Sequence, residues 1–400
     1  CFALVLCCAP AYSSERVLLS LDGIWDIADS VERDAIPTTF SHKVPVPGLV
    51  HSSNPAFPDV DQFDSREVIV NRVSKKLMPR TALVMTAGVP HQERNYFWYR
   101  TWFEAKTRRA VALLRINKAQ FGAAVWINGR NVGEHLPCFT SATFNITAAI
   151  LWGASNEVVV RIGAHPGVLP EKVSAGTDFE KNRWTPGIYD SVSVIFADNP
   201  MIESVQVAPK IQSNEAVVQT VVRNYGTAPA EFTVRQTARE CKGTAVAGSA
   251  AEQHGTLAAG ASKTVIQTVR IPNAKLWTPE KPNLYIVETR TSGDSTTTRF
   301  GMREFRFDTA TRRAYLNGRV YFLRGSNITL HRFFEDPNSR QLPWDEAWLR
   351  KLLVDIPKQM HWNAFRFCIG PVPDRWFDIA DEAGLLIQNE YFVWTGHDWH

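Results

Sequence analysis

The chain has 400 residues, 44% of them hydrophobic and 21% charged, a globular balance that is long enough for about two to three domains. Its 44 Lys and Arg against 40 Asp and Glu leave a formal charge of +4 without a block of like charge, so nucleic-acid binding has no electrostatic support. No stretch beyond the N-terminus is long and apolar enough to span a membrane.

Residues 1–14, CFALVLCCAPAYSS, are apolar and then small, with Ala9-Pro10-Ala11 fitting a small-x-small cleavage site. They resemble the end of a secretory signal peptide without its Met and basic start, and predict a secreted or periplasmic protein. Three of the six cysteines lie there; Cys138, Cys241 and Cys368 are too far apart for a disulfide framework or a metal-ligand spacing, and are expected free and at least partly buried.

Residues 15–199 read as short β-runs between Gly, Pro and Asn breakers, for example Tyr96 to Phe103, Val111 to Ile116, Ala124 to Ile127 and Glu157 to Ile162. Asn128-Gly129 between two such runs predicts a type I′ hairpin. Many short strands with almost no helical period predict a β-sandwich. Residues 200–299 repeat the pattern with runs at Ile202 to Val207, Glu215 to Arg223, Glu231 to Thr237, Ser262 to Ile271 and Asn283 to Thr291. About a hundred residues at this pitch fit an immunoglobulin-like sandwich, with Cys241 to Gly260 as a loose edge or loop. Nothing in this stretch suggests chemistry, and it reads as a spacer.

Residues 300–400 change character. Asn317-Gly318 predicts a hairpin, Val320 to Leu323 a buried strand, and Asp345 to Met360 a helix that Pro357 kinks or shortens. Ala364 to Phe367 is a second strand, Pro373 opens a second helix that Gly384 caps, and Leu385 to Ile387 is a third strand. This β-α-β-α-β order opens a parallel α/β unit, and a full eight-stranded barrel needs about 250 residues, so the chain is read as truncated at both ends or as ending in a smaller domain.

Functional groups in parallel α/β folds gather at the C-terminal strand ends. These ends are read at Arg324 to Asn327 with His331, at Arg366 to Gly370, and at Gln388-Asn389-Glu390-Tyr391 leading to Trp394, His397, Trp399 and His400. Hydrogen-bonding groups beside flat aromatic faces suit a sugar site, and the 13 Trp supply such faces, although most Trp simply fill cores. A lone Glu390 does not run glycoside hydrolysis, which takes two carboxylates about 5–5.5 Å apart in retaining enzymes. Each residue also has a duller reading: Arg366 as a structural ion pair, His331 as a surface loop residue, Glu390 as a helix cap. No Ser-His-Asp signature, phosphate loop or zinc spacing is present.

The same residues resemble glycoside hydrolase family 2, the β-galactosidases, β-glucuronidases and β-mannosidases. The likeness lies in Leu21-Asp22-Gly23-Ile24-Trp25 (L-D-G-x-W), Val46-Pro47-Gly48, and Trp98-Tyr99-Arg100 with Phe103 (W-Y-R-x-x-F). It continues in Val125 to Gly133, Gly187-Ile188-Tyr189, Leu276-Trp277-Thr278-Pro279 with Pro282 to Tyr285, Phe300 to Glu304, and Leu316 to Asn327. Any one is weak; eight in family order are strong. The resemblance implies a jelly-roll sugar-binding domain (15–199), an immunoglobulin-like domain (200–299) and the start of a TIM barrel (300–400). It implies a retaining double displacement by two Glu, an acid/base after strand four and a nucleophile after strand seven, both beyond residue 400. No residue of this chain is thus assigned a catalytic role, and residues 1–400 alone are expected to be inactive.

Asn327, His331, Arg366, Asn389, Glu390 and Trp394 are the candidate substrate-binding or site-lining residues. In the family the Arg matching Arg366 holds the nucleophile carboxylate ionised, and Glu390 matches an acidic lining position rather than the acid/base. Cys368-Ile369-Gly370-Pro371 departs from the Ser-His-Tyr-type turn common in β-galactosidases, and their metal-ligand pattern is not clear here. No cofactor or metal is therefore required, although a divalent metal is compatible. The expected activity is cleavage of terminal β-glycosidic bonds, β-galactosidase-like first. The expected partner is a glycoside or oligosaccharide, or a second copy in a homo-oligomer, with neither nucleic acid nor membrane. The alternative is a non-catalytic carbohydrate-binding β-sandwich protein.

Overall fold

The structure is a computed structural model that describes residues 15–60, 66–83, 94–170, 172–174, 185–368 and 370–390. The leader reading of residues 1–14 and the candidate Trp394 lie outside the described residues.

Residues 15–197 form two facing sheets. A four-stranded sheet runs Val17–Ser20, Val192–Ala197, Val111–Ile116, Ala142–Asn145 in spatial order, and a six-stranded sheet runs His42–Val46, Gly23–Ser30, Tyr96–Glu104, Ser155–Gly163, Ala123–Ile127, Arg130–His135. Their inner faces share one core, including Trp25, Tyr99, Val125, Val160 and Phe196. The Asn128-Gly129 hairpin forms as expected, with both residues at positive φ (50° and 78°), the backbone that Asn and Gly tolerate best.

A second pair of sheets follows. Met201–Lys210, Glu215–Arg223 and Ser262–Arg270 make one; Ala230–Glu240, Tyr285–Arg290 and Ser295–Phe300 make the other. The stretch expected as a loose edge contains two short edge strands, Val246–Ser249 and Gln253–Leu257, both paired with Ala230–Glu240. Backbone hydrogen bonding overrides their small side chains. Cys138 is buried, Cys241 and Cys368 are half-buried, and all three are free.

The last part carries three parallel strands: β1 (Gly325–Thr329), β2 (Ala364–Cys368) and β3 (Leu386–Asn389), in that spatial order. The strand expected at Val320 to Leu323 is displaced. Arg319–Val320 closes the Asn317-Gly318 hairpin, Phe322 is left 76% exposed, and the parallel strand begins at Gly325. There a Cβ would stand 1.7 Å from the Ala364 carbonyl oxygen, so only glycine lets β1 approach β2. Four helices connect these strands: α1 (Leu330–Glu335), α2 (Glu346–Arg350), α3 (Ile356–Gln359) and α4 (Asp374–Ala383). A π-helical turn, Lys351–Asp355, joins α2 to α3, so Pro357 sits in the first turn of α3, where it needs no intrahelical donor. Gly384 caps α4 at φ 81°.

Candidate functional site

The register of the three parallel strands sorts the candidates by face. Asn327 pairs with Arg366, and Arg366 with Gln388. In parallel strands paired residues point to the same side, so one face carries Asn327, Thr329, Arg366, Cys368, Gln388 and, just past β3, Glu390. The other face buries Ile328, Phe365 and Phe367 against Leu349, Leu353, Trp376 and Ile379 of the helices. The polar face opens onto a cleft of about 570 Å³ whose lining includes Arg303, Phe307, Asn327, Arg366 and Gln388.

Arg366 Nη2 lies 2.8 Å from Glu390 Oε2, with the two side chains 37% and 21% exposed. The pair couples the middle of β2 to the end of β3. It matches the plain ion-pair reading of Arg366, and Glu390 is the carboxylate it meets among the described residues. Cys368 and Thr329, absent from the candidate set, complete the cluster. Burial pushes the Cys368 thiol up first, and its hydrogen bond to Glu390 adds to the rise. A step of two along each strand from Asn327 and from Arg366 reaches both, so strand periodicity was the signal that would have found them.

Two candidates are corrected. His331 is neither a loop residue nor part of the open face. It opens α1, is 1% exposed, and packs edge-on to Phe139 and Phe334 with ring centroids 5.6 Å away in both cases. The strand displacement caused this: β1 ends at Thr329, and the chain turns at once into the contact with the first sandwich. Asn389 shares its strand side with Phe367, so it points to the helix-facing side. Its Oδ1 is buried with no hydrogen-bond partner among the described residues.

The face is held by contacts from both sandwiches. Phe139, Tyr189, Phe334 and Trp344 form a stacked column with successive centroids 4.7, 5.3 and 5.4 Å apart. Trp344 Nε1 donates to the Tyr189 carbonyl at 2.9 Å. Buried Lys118 bridges Asp190, at 2.6 Å, to Asp374 at the start of α4. Burial pushes Asp190 up, and Lys118 opposes that rise. From the second sandwich, Arg299 pairs with Asp378 at 2.6 Å and Glu382 at 3.1 Å, and Trp277 Nε1 donates to the Asp381 carbonyl at 3.0 Å. Among the described residues no group of three or more His, Cys, Asp or Glu is placed to hold a metal ion, and no helix is long and apolar enough to cross a membrane.

With this geometry in hand, comparison with known proteins is informative. Residues 201–303 match the model of glycosyl hydrolases family 2. A protein of Formosa agariphila, named provisionally as a β-glucuronidase, is 26% identical over 321 residues, covering 76% of this chain and 27% of that protein. A second protein of that bacterium with the same name is 27% identical over 331 residues, covering 78% and 37%. The chain therefore spans well under half the length of these relatives. Among solved structures, Bacteroides uniformis β-glucuronidase superposes with a TM-score of 0.71 at 20% identity, over 94% of this chain and 42% of that one. A family 2 member from Bacteroides cellulosilyticus gives 0.70 at 19% identity, over 96% and 47%. A β-galacturonidase from Eisenbergiella tayi bound to galacturonate gives 0.67 at 18%, over 94% and 58%. At these identities the superpositions speak for the fold. The match over residues 201–303, the named relatives and the shared fold support a likeness of this chain to glycoside hydrolase family 2.

Proposed function

We propose that this chain forms the two sandwiches, jelly-roll and immunoglobulin-like, and the opening strands of a TIM-barrel retaining β-glycosidase. The observation that carries this reading is the polar face of β1, β2 and β3, where Asn327 and Arg366 line a cleft and Arg366 pairs with Glu390 just past the end of β3. In a parallel α/β unit substrate is held at the C-terminal ends of the strands, and Glu390 lies just past that of β3. Arg366 fixes the direction of Glu390, and the neutral pair presents carboxylate and guanidinium edges to sugar hydroxyls. A retaining mechanism uses two further carboxylates about 5–5.5 Å apart, one as nucleophile and one as acid/base. Among the described residues the polar face carries one carboxylate, Glu390.

For the sugar, the names of the relatives favour a β-hexuronide over the β-galactoside that the sequence put first. The test assays the full-length gene product on nitrophenyl β-D-glucuronide, β-D-galacturonide and β-D-galactoside. Expected is fastest hydrolysis of a uronide with retained anomeric configuration by proton NMR, and no turnover by residues 1–400 alone. Inversion would refute the double displacement. A full-length product inactive on every glycoside would refute the enzyme and leave the non-catalytic binding protein.

A further inference from the structure

Strand register puts a thiol beside Glu390. Phe367 pairs with Asn389, so the residues that follow, Cys368 on β2 and Glu390 just past β3, come side by side on the polar face. The Glu390 amide donates to the Phe367 carbonyl at 3.1 Å, which ties the Glu390 backbone to β2 at this level. On its other flank Cys368 pairs with Thr329, the last residue of β1. The thiol therefore stands between a carboxylate and a hydroxyl, and is hydrogen-bonded to both.

The chemistry of these groups fixes which one donates. Arg366, two residues before Cys368 on the same strand, holds Glu390 at 2.8 Å. A carboxylate only accepts, so Cys368 presents its S–H to Glu390, and the Thr329 O–H donates to the sulfur. Burial first, and then the Glu390 carboxylate, push the thiol pKa up, so the sulfur keeps its proton. A thiolate here would instead repel Glu390. The ion pair alone is a weak clamp, because Arg366 is 37% and Glu390 21% exposed and water screens such pairs. A second, neutral donor from the same strand limits the swing that the ion pair leaves to the carboxylate.

We propose that Cys368 is a positioning residue for Glu390, its S–H and the Arg366 guanidinium together aiming the carboxylate at the hydroxyls of a bound sugar. The proposal rests on the reading of the polar face as a substrate site and adds the residue that sets the direction of its carboxylate. Cys368 acts through Glu390. An aimed acceptor serves the ground state and the transition state alike, so its loss shows in KM rather than in kcat.

Two measurements on the full-length gene product test it. The first follows alkylation by iodoacetamide against pH, by mass spectrometry of the tryptic peptide Phe367–Arg375, which carries Cys368 and no other cysteine. Cys368 is half-buried, so the reagent reaches it. Glu390→Gln is expected to lower the pH of half-maximal reaction by about one pH unit. An unchanged midpoint would overturn the contact. The second is steady-state kinetics on the preferred nitrophenyl glycoside. Cys368→Ala is expected to raise KM about 10-fold with kcat within about twofold, and Cys368→Ser, which keeps a donor, to return KM to within about threefold of the parent. In a Glu390→Ala background, Cys368→Ala should change KM by less than about twofold. A Ser variant as impaired as Ala, a loss in kcat without one in KM, or a Cys368→Ala effect that persists in full without Glu390 would each overturn the positioning role. A full-length product without turnover would sink the glycosidase reading, and the alkylation midpoint would still decide whether Cys368 holds Glu390.

Discussion

His165 is buried beside the strand Ser155–Gly163, with its Nε2 3.1 Å from Asn95 Oδ1. Burial, then the nearby Arg72 charge, pushes its pKa down to about 4. The unfolded chain takes up this proton near pH 6.5 and the folded chain only near 4. Stability from His165 is therefore present above pH 6.5 and is lost as pH falls toward 4. At 1.36 kcal/mol per pKa unit the loss is at most about 3 kcal/mol. Urea unfolding at pH 7 and pH 4.5 checks it: His165→Gln should show a smaller loss on acidification than the parent. Equal losses would remove His165 from the account. Residue identity was legible in part. Asn327, Arg366 and Glu390 lie on one face because strands alternate. The burial of His331 and the helix-facing turn of Asn389 depend on where β1 ends and on what packs behind β3, and neither is local.

At the scale of elements, turn chemistry was the readable part. Asn128-Gly129 and Asn317-Gly318 both take the paired positive φ that their sequence announces. The first parallel strand was misplaced because an apolar run looks like a buried strand, whereas Val320 instead pairs with Tyr315 in the hairpin. The cap of α4 does two jobs. Gly384 turns the chain at φ 81°, and a Cβ there would meet the Pro279 carbonyl oxygen at 2.1 Å. Gly384→Ala is expected to cost at least about 1–2 kcal/mol from the left-handed backbone alone, and more from the clash. The readout is the urea midpoint; an unchanged midpoint would show that the junction between Pro279 and α4 yields freely.

For the whole molecule, the sandwiches and the parallel unit share buried surface. Phe334 lies mid-column between Tyr189 and Trp344 and is fully buried. Removing it leaves a cavity and breaks both stacks. Phe334→Ala should therefore lose about 3–5 kcal/mol. Denaturation followed by tryptophan fluorescence is expected to split into two steps, with residues 325–390 unfolding before the first sandwich. A single transition at the parent midpoint would mean that the column contributes little. Lys118 with Asp190 and Asp374 adds a charged contact at the same joint, one that pays only while all three partners remain together.

The sequence by itself determined most strands of both sandwiches, the hairpin turns, the parallel β-α-β-α-β order and the family likeness. These follow from local periodicity, from the backbone freedom of Asn and Gly, and from motifs short enough to read along the chain. Only the tertiary structure decided the start of β1, the burial of His331 against Phe139 and the pairing of Arg366 with Glu390. Each depends on which distant segment covers a side chain, and chain order alone does not contain that information.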